Sequence, residues 1–333
     1  MKKILVTGGA GYIGSHTCKL LAENGYDPIV YDDLSTGYEW AVKWGDLEVG
    51  SLRDESRLLE VCRQHKPDVV LHFASFINVG ESVSNPIKYY GNNVGGTMSL
   101  LKIIQQCGIG HLVYSSSCAV YGVSESLSLR ENHPQAPHNP YGWSKFMCER
   151  LIADFERAFG LRHVALRYFN AAGADPGGQI GEAHLPETHI IPLVLQVAKR
   201  ECDVFTFNGN DYDTDDGTCV RDYIHVVDLA AAHLLALEYL LNGGDSQAFN
   251  LGNGTGYSVQ QVIEAAREVT GHAIPTRVGK RRKGDISILV SDSTRAHAMR
   301  EHRRLPPSRQ QSPGGGTLGQ SHPPSRGSCG TLR

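Results

Sequence analysis

Tyr141 and Lys145 stand four residues apart in Tyr141-Gly142-Trp143-Ser144-Lys145, a spacing that sets both side chains on one face of a helix. Such a pair can move a proton. A phenol titrates near pH ~10, and a neighbouring ammonium favours the phenolate, so the pairing predicts a lowered Tyr141 pKa and a general base near neutral pH. The same spacing is common on helix surfaces, so the pair needs a partner and a reactant. Ser117, closing the run Ser115-Ser116-Ser117 after an apolar segment, offers a hydroxyl; its plain alternative is a turn hydroxyl bonded to local backbone.

The reactant is indicated by the N-terminus. Lys3 to Thr7 reads as a strand, Gly8-Gly9-Ala10-Gly11-Tyr12-Ile13-Gly14 as a glycine turn, and Ser15 to Asn24 as a helix stopping at Gly25. Gly8, Gly11 and Gly14 allow a tight turn, close approach of backbone to a pyrophosphate and close helix–strand packing, while free N–H groups at the helix start attract phosphate. The next strand, Pro28 to Tyr31, runs into Asp32, where an acid can accept from a ribose hydroxyl pair. Asp32 with Asp33 would repel a 2′-phosphate, which favours NAD over NADP.

Elements that must position these groups alternate along the chain. Strands are expected at Asp68–Phe73, His111–Tyr114 and His163–Tyr168, with helices at Asn92–Cys107 and around Tyr141. The fold class is α/β, a doubly wound parallel sheet of the Rossmann type, whose ligands sit beyond the carboxyl ends of the strands. Residues 1–170 read as an NAD-binding domain, with the segment near 219–241 packing back onto it. Residues 171–299 read as a smaller substrate lobe with helices at Pro192–Lys199, Asp228–Leu241 and Ser258–Thr270. In it, Arg221 and the run Lys280-Arg281-Arg282-Lys283 are candidate partners for a diphosphate; a charge run is also the ordinary dress of a solvated loop.

The chain of 333 residues carries a formal net charge of -3, which argues against a nucleic-acid or membrane-surface partner and for a small-molecule ligand. No run approaches the ~18 apolar residues of a membrane span and the N-terminus has no cleavage signal, so a cytoplasmic location is expected. The 8 cysteines include no C-x-x-C pair and the histidines no H-E-x-x-H spacing, so no metal is expected.

Taken together, TGGAGYIGSH (7–16), HFAS (72–75), VGES (79–82), NNVGGT (92–97), SSSCAVYG (115–122), NPYGWSK (139–145), LRYFNAAGADP (166–176), DGTCVRDYIHV (216–226) and RRKGD (281–285) resemble the extended short-chain dehydrogenase/reductases and, within them, the UDP-glucose 4-epimerases, from Lys3 to about Ala296. The resemblance implies that Tyr12 and Ile13 cover the pyrophosphate, that Asp32, Asp33, Leu34, Ser35, Thr36 and Gly37 hold the adenosine ribose, and that Phe73, Ala74 and Asn92 line the cofactor site. It further implies that Lys145 holds the nicotinamide ribose, Ser117 bonds the sugar hydroxyl, and Phe169 and Asn170 stand beside nicotinamide and substrate. Arg221, Arg282 and Asp285 would hold the nucleotide. The implied chemistry is redox-neutral: Tyr141 takes the C4 hydroxyl proton as hydride leaves C4, and a transient 4-keto sugar turns over and is reduced on its other face. UDP-hexose is the implied substrate, with UDP-pentose or UDP-N-acetylhexosamine as alternatives, and a homodimer pairing through helices near 92–107 and 141–158 is the implied assembly. Related dehydratases carry an Asp-Glu pair where this chain has Cys118 and Ala119, which disfavours elimination.

Some positions depart from the family pattern. Ser51-Leu52 occupy the cofactor-side position where many relatives carry an adenine-recognising acid, Phe76-Ile77-Asn78 replace a segment that often holds a lysine, and Asn208-Gly209 replace an aromatic-glycine pair. None removes a catalytic group. From Arg300 to Arg333 the chain is rich in Pro, Gly, Ser and Arg without aliphatic periodicity, the composition of a disordered tail and of a shifted reading frame. The alternative it raises is a catalytically feeble protein that binds NAD or a nucleotide sugar.

Overall fold

The computed structural model describes residues 1–123, 128–281 and 286–301, with side chains up to 298. Arg282, Asp285 and the tail from 302 onward, three subjects of the sequence reading, lie outside the described residues. In chain order the strands are β1 (Lys3–Thr7), β2 (Asp27–Asp32), β3 (Asp46–Val49), β4 (Val69–His72), β5 (His111–Ser117), β6 (Arg162–Tyr168), β7 (Asn170–Ala172), β8 (Phe205–Asn208), β9 (Val220–His225), β10 (Gln247–Leu251), β11 (Gly256–Ser258), β12 (Thr276–Gly279) and β13 (Ile288–Leu289). The helices are α1 (Tyr12–Glu23), α2 (Glu55–His65), α3 (Val79–Ser84), α4 (Pro86–Tyr89), α5 (Gly95–Cys107), α6 (Pro140–Phe159), α7 (Ile190–Ala198), α8 (Val226–Leu241), α9 (Val259–Thr270) and α10 (Thr294–Glu301).

Seven strands form one parallel sheet in the order β10-β6-β5-β4-β1-β2-β3. Chain order reverses between β1 and β4, the crevice where open α/β sheets bind ligands. Alternation along the strands serves two cores. Ile4 and Val6 face α1 and α8 through Cys18, Leu21, Leu229 and Leu237, while Leu5 and Val70 face α2, α5 and α6 through Leu58, Leu100 and Ile152. With both faces covered, the strands read as continuous apolar runs.

The second half of the chain re-enters this sheet. α8 packs beside α1, and β10 pairs with β6 from Gln247↔Val164 to Leu251↔Tyr168. The remaining segments form a smaller body: β11, β9 and β13 with β7 against β9, and the pair β12-β8, over a modest core of Val194, Val197, Phe205, Phe207, Ile263 and Ile274. Sequence expectations include neither α2, α3, α4 and α10 nor β3 and the strands after β6. The expected helix from Asn92 begins instead as one turn of π-helix, Tyr90–Val94, before α5, and the strand expected to end at Tyr114 continues to Ser117.

Candidate active site

At the carboxyl end of β1 the glycine turn has no room for side chains. Gly8 adopts φ +74, and a Cβ there would lie 2.6 Å from Ala74 N; one on Gly14 would lie 2.3 Å from Gly8 O. Gly11 caps α1 without any side-chain bond, leaving the first N–H groups of the helix for an anion. Asp32, at the end of β2, is buried and accepts from Ala10 N at 3.0 Å and Leu34 N at 2.9 Å. Burial raises its pKa, and the two backbone donors oppose that shift. Each oxygen keeps a lone pair for a ribose hydroxyl. Asp33 accepts from Ser35 N at 3.0 Å, and Gly37 packs so closely on Ala10 that a Cβ would approach to 2.9 Å. Ala10, Gly11, Tyr12 and Thr36 line a small cavity at this point. Ile13 packs into the sheet core, and the Tyr12 hydroxyl donates to Gly173 O at 2.6 Å. This cradle, with its buried acid, fits a dinucleotide.

Two strands away lies the Tyr141–Lys145 pair. β4 separates β1 from β5, so their ends stand about 10 Å apart. Asn139 caps α6 by accepting from Gly142 N at 2.8 Å, and Pro140 occupies the first turn, a start signal that places Tyr141 at the mouth of the sheet. Tyr141, Ser117 and Lys145 are all buried. The Ser117 hydroxyl accepts from Ala119 N at 3.2 Å and lies close enough to the Tyr141 phenol to favour its phenolate. Lys145 Nζ donates to Ser115 O at 2.8 Å, and burial lowers its pKa to about 8.

One electrostatic expectation is corrected here. Burial raises the Tyr141 pKa above its ordinary value, and the opposing influence comes from Ser117 rather than Lys145. Desolvation of a phenolate inside the crevice is the dominant influence on Tyr141, and the positive charge of a bound nicotinamide would oppose it.

A family model described as NAD dependent epimerase/dehydratase family matches residues 4–252. The chain belongs to this family. It is 54% identical over 296 residues to a UDP-glucose 4-epimerase of Rhizobium meliloti (strain 1021), spanning 89% of this chain and 90% of that one. A crystal structure of UDP-glucose 4-epimerase from Brucella ovis in complex with NAD superposes with a TM-score of 0.88 at 49% identity, covering 90% of this chain and 92% of that one. The enzyme of Bifidobacterium longum, in complex with NAD+ and UDP, superposes with a TM-score of 0.85 at 38% identity, over 90% and 92% of the two chains.

In this epimerase/dehydratase family member, Ala74 N donates to Thr7 O at 3.1 Å beside Gly8, and Phe73 stacks on His233 at 4.6 Å between centroids. Leu52 is buried beneath Gly96, and Ser51 O accepts from the Tyr31 hydroxyl at 2.9 Å. Phe169 is buried against Cys118 and Tyr121. Asn170 Nδ2 donates to Asp222 O at 3.0 Å. Arg221 Nη1 donates to Val220 O at 2.9 Å and Ile286 O at 2.8 Å, close enough to Cys118 to act on its thiol electrostatically.

Several positioning residues escaped the sequence reading. Asn93, turned inward beside Asn92 by the π-turn, accepts from Phe76 N at 2.9 Å and donates to Phe76 O and Ser144 Oγ, both at 3.0 Å. Ser144 in turn donates to Tyr141 O at 2.7 Å. Two turns along α6, Glu149 takes a bidentate pair from Arg167, at 2.9 Å from Nε and 2.6 Å from Nη2, plus the Ser116 hydroxyl at 2.5 Å. A glutamate eight residues beyond Tyr141 on the same helical face, and an arginine inside the strand HVALRY, were the available signals.

Proposed function

We propose that this family member is an NAD-dependent isomerase interconverting UDP-glucose and UDP-galactose at C4, with Tyr141 as the acid/base. The reading is carried by the buried Ser117 hydroxyl beside the buried Tyr141 phenol at the end of β5, two strands from the glycine cradle. Bound NAD supplies a hydride acceptor that later gives the hydride back. Gly8, Gly11, Gly14 and the α1 start hold its pyrophosphate, Asp32 to Gly37 its adenosine ribose, and Lys145 its other ribose. Phe73, Ala74 and Asn92 flank it, as do Ser51 and Leu52 beyond the adenosine. Ser117 fixes the C4 hydroxyl, and Tyr141 takes its proton as the C4–H bond breaks, leaving a 4-keto sugar. The sugar turns on its diphosphate while Arg221 and Asn170, with Arg282 and Asp285, hold the nucleotide; Tyr141 then returns the proton to the C4 oxygen.

Elimination of water, the dehydratase outcome, needs an acid at positions 118 and 119. The Cys118 thiol is buried and pushed up to about 12, and alanine follows it. The curated relatives named UDP-glucose 4-epimerase support the hexose reading. Residues 1–170 with 226–251 are the NAD-binding unit in this scheme, and the remainder to 299 the substrate lobe. α6 leaves Trp143 39%, Met147 38% and Phe159 59% exposed, which supports pairing of two copies as a homodimer. Among the described residues no helix is long and apolar enough to cross a membrane, in keeping with work in the cytoplasm.

The test is turnover of UDP-galactose to UDP-glucose by the full NAD-loaded chain. Tyr141→Phe should lower it by about 10²–10⁴-fold with NAD still bound. Folded, NAD-loaded wild type without turnover would overturn the proposal.

A further inference from the structure

Outside the crevice, the chain between β7 and α7 carries a second concentration of titratable side chains. Glu182, His184, Glu187 and His189 each offer one ligand atom, and these atoms lie within 4.8 Å of one another. His189 Nδ1 stands 2.9 Å from Glu182 Oε1 and 2.8 Å from Glu187 Oε1, while His184 Nδ1 stands 3.5 Å from the same Glu182 oxygen. Both carboxylates are enclosed, with side-chain exposures of 10% and 8%. Glu187 is further fixed by the backbone N–H groups of Thr188 and His189, which donate to its Oε1 at 2.7 and 2.8 Å.

A proton on His189 accounts for only part of this arrangement. It joins one imidazole to two carboxylates and leaves the cluster with a net charge of about −1. It also leaves His184 Nδ1, a buried atom, without a hydrogen bond. A divalent cation would neutralise both carboxylates and give that nitrogen a partner.

We infer that Glu182, His184, Glu187 and His189 form a binding site for one borderline divalent cation of the Zn²⁺ type. Tetrahedral zinc, with bonds of about 2.0–2.2 Å to imidazole nitrogen and carboxylate oxygen, sets its ligand atoms about 3.4 Å apart. Three of the six separations, 2.8, 2.9 and 3.5 Å, bracket that edge, and all six lie within 4.8 Å, so closing the shell needs side-chain shifts of about an ångström. Two nitrogens and two oxygens suit zinc and its neighbours rather than magnesium or calcium, which take oxygen shells. Gly181 and Ala183, on either side of Glu182, line the small cavity with Tyr12 and Thr36 at the start of α1. A cation here would therefore pin the wall of that cavity from behind.

The sequence gives little sign of this site. Its ligands follow an E-x-H-x-x-E-x-H pattern in a loop, and no helix or strand period brings such residues together.

The experiment titrates the chelator-stripped full chain with ZnCl2 by calorimetry, and repeats it with CoCl2 while recording visible absorption. One Zn²⁺ per chain is expected, and Co²⁺ should show the intense bands of four-coordination. Glu182→Gln and His184→Ala should each weaken binding by more than about 100-fold, beyond the usual loss on removing a group that merely orients a ligand. His111→Ala, at the far end of β5, should bind as wild type. Absent zinc binding by folded wild type, affinity unchanged in both variants, or preference for Mg²⁺ would overturn the assignment. If the variants fail to fold, wild type decides it through stoichiometry and the cobalt spectrum.

Discussion

The two ends of the molecule hold their polar groups in different ways. In the sheet half, charged side chains are inserted into an already packed apolar body: Glu149 and Arg167 meet bidentately between α6 and β6, with both flanking layers of core in place. In the lobe, short strands over a small core are tied by carboxylates that collect backbone donors. Asp222, fully buried, accepts from Asn253 N at 2.7 Å, Ser291 N at 3.0 Å, Ser291 Oγ at 2.6 Å and Gly254 N at 3.1 Å. One half positions its chemistry by packing and adds charge; the other uses charge where packing is thin.

Substitutions can break or sharpen that contrast. The largest effect on stability is expected for Glu149→Ala, which strands the Arg167 guanidinium and should cost about 3–5 kcal/mol, read by urea unfolding of the whole sheet half. Asp222→Ala should cost about 2–4 kcal/mol by orphaning several donors, but hydrogen exchange should rise chiefly in residues 220–225, 252–258 and 288–291. If both variants loosen the molecule uniformly, the two halves are one cooperative unit and the contrast fails. Asn93→Ala, which frees the 74–78 loop from α6, should lower kcat about 10-fold with little change in KM; an unchanged kcat would show that packing alone places Tyr141.

The smallest effect concerns acidity in the lobe, measured with chelator present. Glu182 is held down to about 2 from 4.5 by the His184 and His189 imidazoles against it, which outweigh burial, so its contribution is present above pH 4.5 and lost as pH falls toward 2. His189 is held up to about 9 from 6.5 by Glu182 and Glu187, so its contribution is full below pH 6.5 and lost as pH rises through 9. Tm should therefore be highest between pH 4.5 and 6.5 and fall on both sides. Glu182→Gln should flatten the acid limb and weaken the alkaline one; an unchanged profile would place the sensitivity elsewhere.

What the sequence made legible follows the same division. The glycine turn, Asp32 and the Tyr141–Lys145 pair are local patterns whose chemistry depends on neighbours a few residues away. Their surroundings are not local: Asn93 reaches Ser144 across 51 positions, and Asp222 reaches Ser291 across 69. No period or motif announces such pairings, and the raised Tyr141 pKa follows from enclosure that only the assembled sheet provides. β3, Asp-Leu-Glu-Val, carries no strand signal because two of its four residues are acids, and β10 carries little because Gln247-Ala248-Phe249-Asn250-Leu251 alternates weakly.

The late return of β10 to the edge of the sheet sets a timetable for synthesis. Until residue 251 has left the ribosome, β6 presents an open row of N–H and C=O groups, a template for mispairing with other nascent chains. α8, which covers the same side of the sheet as α1, is made only after residue 226. Chains released before those points should be chaperone clients, so expression of fragments ending at 170 should give aggregates where the full chain gives native protein.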